Sequence, residues 1–313
     1  MKPLRSQAPK FTVSDRFFRG LTRAFAVAIL ALVVLIAWQL VEHSRLAQAK
    51  FGLGFLWGTT WDPVKAHFGA LPFLYGTLVT SAIALILAVP LGLGTAIFLA
   101  ELVPPRLSQW LAFLVELLAA IPSVIIGLVG IFVVVPWVRT SLQPWLSETL
   151  GSLPLFQGTS YGLGFLTAGL ILAIMVVPFI TSVSREVLLT VPRAQREAAL
   201  ALGATRWEML YTSVMPYARS GIFAAIMLAM GRALGETMAV TMVIGNRPEI
   251  SASLLAPGYT MAAVIANEFT EATTDIYLHA LIEIGLVLFV LTIVVNGLAR
   301  LILARLAIRA RYP

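Results

Sequence analysis

The sequence predicts an all-α integral membrane protein with six transmembrane helices, and three observations carry that expectation. Of the 313 residues, 59% are apolar and only 12% are charged, about half the charged share of a water-soluble chain. The apolar residues gather into blocks longer than the ~18 residues that mark a membrane span. Lys and Arg are distributed between the loops in the alternating pattern that orients a helical bundle. Inside lipid the backbone must satisfy its own hydrogen bonds, which leaves helices or a closed barrel. The runs are continuous rather than alternating, and this selects helices.

The six expected spans are Leu21–Val41, Phe73–Ala100, Leu107–Val135, Leu163–Val183, Gly221–Gly245 and His279–Leu303. Residues 1–20 form an expected cytoplasmic arm, 21–303 the six-helix domain, and 304–313 a cytoplasmic tail. Ala47-Gln48-Ala49 has the small-residue pattern of a signal cleavage site. The apolar stretch before it exceeds the ~7–15 residues of a signal peptide, so it is expected to stay as a helix.

Charge fixes the expected orientation. With the N-terminus in the cytoplasm, sixteen Lys and Arg fall inside: Lys2, Arg5, Lys10, Arg16, Arg19, Arg23, Arg106, Arg185, Arg193, Arg196, Arg206, Arg219, Arg300, Arg305, Arg309 and Arg311. Five fall outside, namely Arg45, Lys50, Lys65, Arg139 and Arg247. The net charge of +7 therefore reports topology, and no nucleic-acid partner is expected. The last outside loop is acidic, with Glu249, Glu268, Glu271 and Asp275. Trp57, Trp61, Trp137 and Trp145 suit an interfacial belt. The absence of cysteine excludes disulfides, thiolate catalysis and cysteine metal sites. His43, His67 and His279 show no ligand spacing, so no metal site is expected, and no internal repeat stands out.

The loop between spans four and five, about residues 185–220, encodes a helical hairpin. Pro192 suits a first helical turn, where its missing N–H costs nothing. A helix-favouring run follows from Arg193 to Leu202, and Gly203 can close it in a left-handed cap. Thr205 and Glu208 have capping-box spacing, and the second helix is expected to end at Pro216. Such a hairpin is either a solvated connector or a helix that docks into a groove of a partner.

Span five holds two charges, Arg232 and Glu236, each costing on the order of 2.5–3.5 kcal/mol at mid-membrane. Four residues apart on one helix, they can neutralise each other. Gly231 and Gly235 add a stripe where another helix can approach closely. The pair is either a structural ion pair or part of an anion pathway, in which the arginine fork meets oxyanion oxygens and the glutamate limits its grip. Thr237 and Thr241 are candidate hydroxyl donors. Glu116 in span three precedes the helix-disturbing Pro122-Ser123; it is either a hinge or pathway residue or a packed carboxylate. Glu283, near the outer end of span six, is expected to reach water.

Two motifs resemble known families. Glu197-Ala198-Ala199, followed by Gly203, resembles the EAA motif of ABC importer permeases. The family continues with Ile-any-Leu-Pro nine residues after the glycine. Here Ser213-Val214-Met215-Pro216 keeps only the proline. The string Gly231 to Val240 resembles the signature of PstC-type phosphate permease subunits, and Val115 to Val124 in span three resembles their corresponding segment. The resemblance implies a type I ABC importer permease in the cell inner membrane. It implies Glu197, Ala198, Ala199 and Gly203 as the coupling element and Arg232 and Glu236 on the phosphate path. The implied partners are a second permease subunit (PstA type), cytoplasmic ATPase subunits (PstB type) and an extracytoplasmic phosphate-binding protein (PstS type). No Gly-x-x-x-x-Gly-Lys-Ser/Thr phosphate loop is present, so the chain is not expected to be an enzyme. It is expected to bind no cofactor, with ATP used by the partner.

Sulfate, molybdate and tungstate permeases carry a similar Arg-any-Leu-Gly-Glu string but usually continue with an aromatic residue and glycine, where this chain has Thr237-Met238. An ion-driven secondary transporter or channel would have no need of the hairpin, and inverted repeats are expected in many of them.

Overall fold

The computed structural model describes residues 13–309, with side chains from 17 to 301. The expected arm before residue 13 and the tail after residue 309 lie outside the described residues, as do the side chains of Arg16, Arg305 and Arg309. Six of the described helices are long and apolar enough to cross a membrane.

In chain order, α1 is Val13–His43, α2 Arg45–Phe51 and α3 Gly54–Trp57. A two-stranded hairpin follows, β1 Trp61–Asp62 antiparallel to β2 His67–Phe68, with Trp61 opposite Phe68. Then come α4 (Leu71–Leu102), α5 (Pro105–Ala119), α6 (Ser123–Leu150) and α7 (Phe165–Leu189). The chain continues through α8 (Arg193–Ala201), α9 (Arg206–Gly235), α10 (Met238–Val243), α11 (Met261–Glu268) and α12 (Asp275–Arg309).

The core forms where two helices have shed side-chain bulk. In α7, 61% of the most apolar stretch is buried, whereas α1 buries none of its own; α7 is therefore the axis and α1 an outrigger. Helix α7 packs against α4 through glycines on both sides. A Cβ on Gly169 would stand 2.4 Å from Ile83 Cγ2, and one on Gly92 would stand 2.9 Å from Ile180 Cβ. Small residues of this kind let backbones close in where lipid supplies no hydrophobic drive. Thr181 Oγ1 uses the proximity, donating to the Val177 carbonyl at 2.8 Å and reaching the Gly92 carbonyl at 3.2 Å. Between Ala24 and Trp38 helix α1 is apolar all round, so lipid can serve as its solvent. It touches α12 near its end, where Leu40 lies beside Gly285.

Prolines decide where the long helices widen. Four π-helical turns, Phe98–Leu102, Gly130–Val134, Val138–Leu142 and Leu210–Val214, each end two residues before a proline. Those prolines are Pro104, Pro136, Pro144 and Pro216. In each case the residue after the turn donates its N–H to the carbonyl five residues back: Val103 to Phe98, Val135 to Gly130, Gln143 to Val138 and Met215 to Leu210. A proline clashes with the carbonyl four residues back and donates nothing to it, and a widened turn relieves both problems. Pro90 and Pro178 lie inside α4 and α7 without such a turn.

Proline chemistry moves two expected boundaries, and a third shifts where no proline lies. Span three is not one helix from Leu107 to Val135. It breaks at Ala120-Ile121-Pro122, and the crossing helix runs on to Leu150 because π turns absorb Pro136 and Pro144. The second hairpin helix does not end at Pro216; it passes through its π turn into α9. Span five stops at Gly235 rather than Gly245. In addition, α1 begins at Val13, so residues 13–20 of the expected arm are already helical.

Trp61 departs from the interfacial belt, whereas Trp57, Trp137 and Trp145 are exposed. Its ring meets Phe68 and Phe73 edge-on at 4.8 and 4.9 Å, and its Nε1 donates to Glu268 Oε2 at 2.7 Å. The same oxygen accepts from the Tyr277 hydroxyl at 2.6 Å. One carboxylate of the acidic loop thus anchors β1 and the start of α12.

Candidate functional site

Span five is interrupted where its charges lie. Helix α9 ends at Gly235, Glu236 is extended (φ −69°, ψ 128°), and α10 starts at Met238. The spacing that would stack Arg232 on Glu236 therefore does not exist. Among the described residues the ion pairs are Glu42–Arg45, Asp62–Lys65, Glu186–Arg185 and Glu101–Arg196; Arg232 and Glu236 form none. The expected mutual neutralisation is corrected, because an i,i+4 pair needs five continuous helical residues and the fifth, Glu236, is extended.

Instead, Arg232 is exposed and Glu236 half-buried. The buried stripe of α9, Ile222, Ala225, Ala229 and Ala233, faces the bundle. Positions Gly231 and Gly235 have nothing within 4 Å of where a Cβ would stand. Among the described residues, the side of α9 bearing Arg232 thus meets no other helix. Thr237 Oγ1 donates to the Gly235 carbonyl at 3.3 Å and Thr241 Oγ1 to the Thr237 carbonyl at 2.8 Å, so both hydroxyl protons are spent on the backbone.

The two interrupted spans meet beyond their breaks. Helix α6 lies against α10, with Gly127 facing Met242 and Ala239, and Ile126, Ala239, Val240 and Val243 share one core with α7. Irregular backbone at membrane depth is tolerated where it lines a cavity or is covered by protein. Glu116, on α5 before the break, is exposed, and its side chain makes no hydrogen bond or ion pair among the described residues. The structure does not join it to Arg232.

The hairpin forms as its residues dictate. Helix α8 follows Pro192, and Gly203 takes φ +87°, the left-handed corner. The N–H of Ala204 bonds back to the Ala199 carbonyl at 3.2 Å and that of Gly203 to Leu200 at 3.0 Å, satisfying the helix end. Thr205 and Glu208 form a reciprocal capping box. Glu197 and Ala198 are exposed, while Ala199 rests on the core around Leu188, Val214 and Ala218. Leu202 is 90% exposed, and Trp207 and Tyr211 project 70% and 73%, beside a groove of about 660 Å³ lined by Ala198, Ala199, Leu202 and Tyr217. Exposed apolar groups clustered off the bundle mark a contact surface.

One residue of this region went unread in the sequence. Arg196, beside Glu197 on the inner face of α8, reaches Glu101 Oε1 at 2.7 Å and holds both carboxylate oxygens through Nε at 3.1 and 3.2 Å. Its other donors meet the carbonyls of Leu188, at 2.8 Å, and Val191. The available signal was Glu101 itself, an acid just before the short connection to α5.

A family model described as "Binding-protein-dependent transport system inner membrane component" matches residues 88–308. The chain belongs to this family. The phosphate transport system permease protein PstC of Mesorhizobium japonicum is 48% identical over 304 residues, covering 96% of this chain and 93% of its own. Proteins of the same name from Xylella fastidiosa (47%, covering 94% and 92%) and Pasteurella multocida (45%, covering 94% and 93%) are also similar. The resemblance drawn from spans three and five is thereby borne out. Among solved structures, the MetNI methionine ABC transporter in an inward-facing conformation matches with a TM-score of 0.54 at 17% identity, over 79% of this chain and 99% of that one. A bacterial ABC transporter for alginate matches with 0.52 at 18%, over 91% and 98%. These two likenesses establish the shared permease fold.

Proposed function

We propose that the chain is the PstC-type permease subunit of an ATP-driven importer that moves inorganic phosphate across the inner membrane. The observation that carries this proposal is the match, at 42–48% identity over 84–96% of the chain, to proteins named phosphate transport system permeases. The positive-inside distribution supports cytoplasmic N- and C-termini, which puts the α8 corner on the side of the ATPase. In this proposal Glu197, Ala198, Ala199 and Gly203 dock α8 into a PstB-type ATPase. A PstA-type subunit covers the open side of α9, and a PstS-type protein delivers phosphate from outside.

Arg232 presents a permanently charged fork to the passing anion. Glu236, unpaired and half-buried, keeps a negative charge near that path and so limits how long the anion stays. A permeation site must release what it binds. The chain itself supplies the path and the coupling surface, while ATP acts on the partner.

The test is uptake of radiolabelled phosphate, competed with sulfate and with arsenate, in cells carrying the intact chain or Arg232→Ala at equal membrane level. Uptake blocked by arsenate, spared by sulfate and lowered about tenfold or more by the substitution is expected, since a hydrogen bond to a charged group is worth roughly 1.5–3 kcal/mol. Competition by sulfate would instead assign the chain to another oxyanion. Unchanged uptake in Arg232→Ala would remove the arginine from the path.

A further inference from the structure

Glu283 does not reach water. It is 7% exposed, and its Oε2 has no hydrogen-bond partner. It heads a pocket of about 530 Å³ between α2, the start of α4 and α12, lined below it by Leu286, Val287, Val290, Leu291 and Val294. The basic residues of α2 are engaged elsewhere: Arg45 pairs with Glu42 at 2.8 Å, and Lys50 donates to the Ala66 carbonyl at 3.2 Å. Gln48, also at the pocket, spends its Nε2 on Ser44 Oγ at 2.7 Å. A buried carboxylate oxygen with no partner among the described residues calls for a donor from outside them.

Depth identifies that donor. Glu283 and Arg300 lie on the same continuous helix, seventeen residues and hence about 26 Å apart along its axis. Arginines near span ends reach toward one membrane interface, and the hydrocarbon core is ~30 Å thick. Glu283 therefore sits at the level of the opposite headgroups, while Val294 lies about 16 Å deeper, along the acyl chains. An acidic head over an apolar groove of that length complements one molecule: a lipid whose headgroup ends in a primary ammonium. We propose that this pocket binds phosphatidylethanolamine, its ammonium donating to Glu283 and one acyl chain lying along Leu286, Val290 and Val294. The site is independent of what the subunit transports.

The intact chain, in the assembly in which it purifies from membranes, is placed in nanodiscs of equal phosphatidylethanolamine and phosphatidylcholine with fixed phosphatidylglycerol. Trace phosphatidylethanolamine or phosphatidylcholine bearing the same acyl diazirine is added, and adducts are mapped by mass spectrometry. Labelling of residues 286–294 by the ethanolamine lipid about tenfold above the choline lipid is expected, the ratio that a charge-assisted hydrogen bond supports. Glu283→Gln should bring the ratio close to one, and Val290→Trp should reduce labelling by both lipids. Equal labelling in the unsubstituted chain overturns the proposal. So does a preference that survives Glu283→Gln, or a pocket that takes up no lipid because another subunit covers it.

Discussion

Arg196 of α8 and Glu101 at the end of α4 form a largely buried ion pair, 2.7 Å at its shortest, with side chains 18% and 8% exposed. Burying such a pair is tolerable only when its remaining hydrogen-bonding capacity is met, and here the Leu188 and Val191 carbonyls meet it. One guanidinium thereby joins three elements: α8, the last turn of α4 and the end of α7. A push on α8 is delivered to the central helix pair rather than to a loose loop.

Removing one partner leaves a buried charge, so Arg196→Ala and Glu101→Ala should each destabilise the hairpin by about 3 kcal/mol. Co-purification of the ATPase should fall with them. Exchanging the two charges should not restore it, because a carboxylate at 196 would face the carbonyls of Leu188 and Val191. Arg196→Lys keeps the charge but loses the fork, and should be intermediate. Full recovery in the exchanged pair would mean that charge alone is at work.

The corner at Gly203 is a conformational requirement without a packing one. Its φ is +87°, and a Cβ there would meet nothing within 4 Å. Gly203→Ala should therefore cost ~1–2 kcal/mol of hairpin stability, and Gly203→Val more, whereas Gly203→Asn should be the mildest. Limited proteolysis of the loop reads this directly. Equal sensitivity of the Asn and Val variants would instead make the site a contact with the ATPase.

Gly169 is the reverse case, constrained by space. With Ile83 only 2.4–2.7 Å from where a Cβ would stand, Gly169→Ala should destabilise the α4–α7 pair by about 1–3 kcal/mol. Trimming the opposing side chain in Gly169→Ala/Ile83→Ala should recover part of the loss. Thermal unfolding of the purified chain in detergent follows both. A purely additive pair would show that the two helices do not meet there.

Much of the fold was legible because lipid makes a strong filter: six apolar runs and the glycine-cornered hairpin follow from composition and spacing. The misreadings came from prolines and from isolated groups. A proline in an apolar run reads as a stop, yet at Pro136, Pro144 and Pro216 the helix widens by one residue and continues. No periodicity announces that. Trp61 has the composition of an interfacial residue, and only the folded chain brings Glu268 to its ring nitrogen. Glu283 near a helix end reads as solvated, until α2 folds over it. Arg196 was one basic residue among many on that face.

The break after Gly235 separates two roles that the sequence had merged. Because Arg232 and Glu236 are not paired, neither should support the fold of the subunit. Arg232→Gln and Glu236→Gln should each leave thermal stability of the purified chain within about 0.5 kcal/mol, as for substitutions away from any network. Their transport effects should differ in sign of affinity. Arg232→Gln removes the cation proposed to meet phosphate and should raise the apparent KM for uptake. Glu236→Gln removes the opposing charge and should lower the apparent KM while slowing maximal uptake, since an anion held more tightly leaves more slowly. The double exchange Arg232→Glu/Glu236→Arg should restore neither parameter. Were it to restore stability lost in both single variants, the two residues would be an ion pair after all, formed in the assembled transporter.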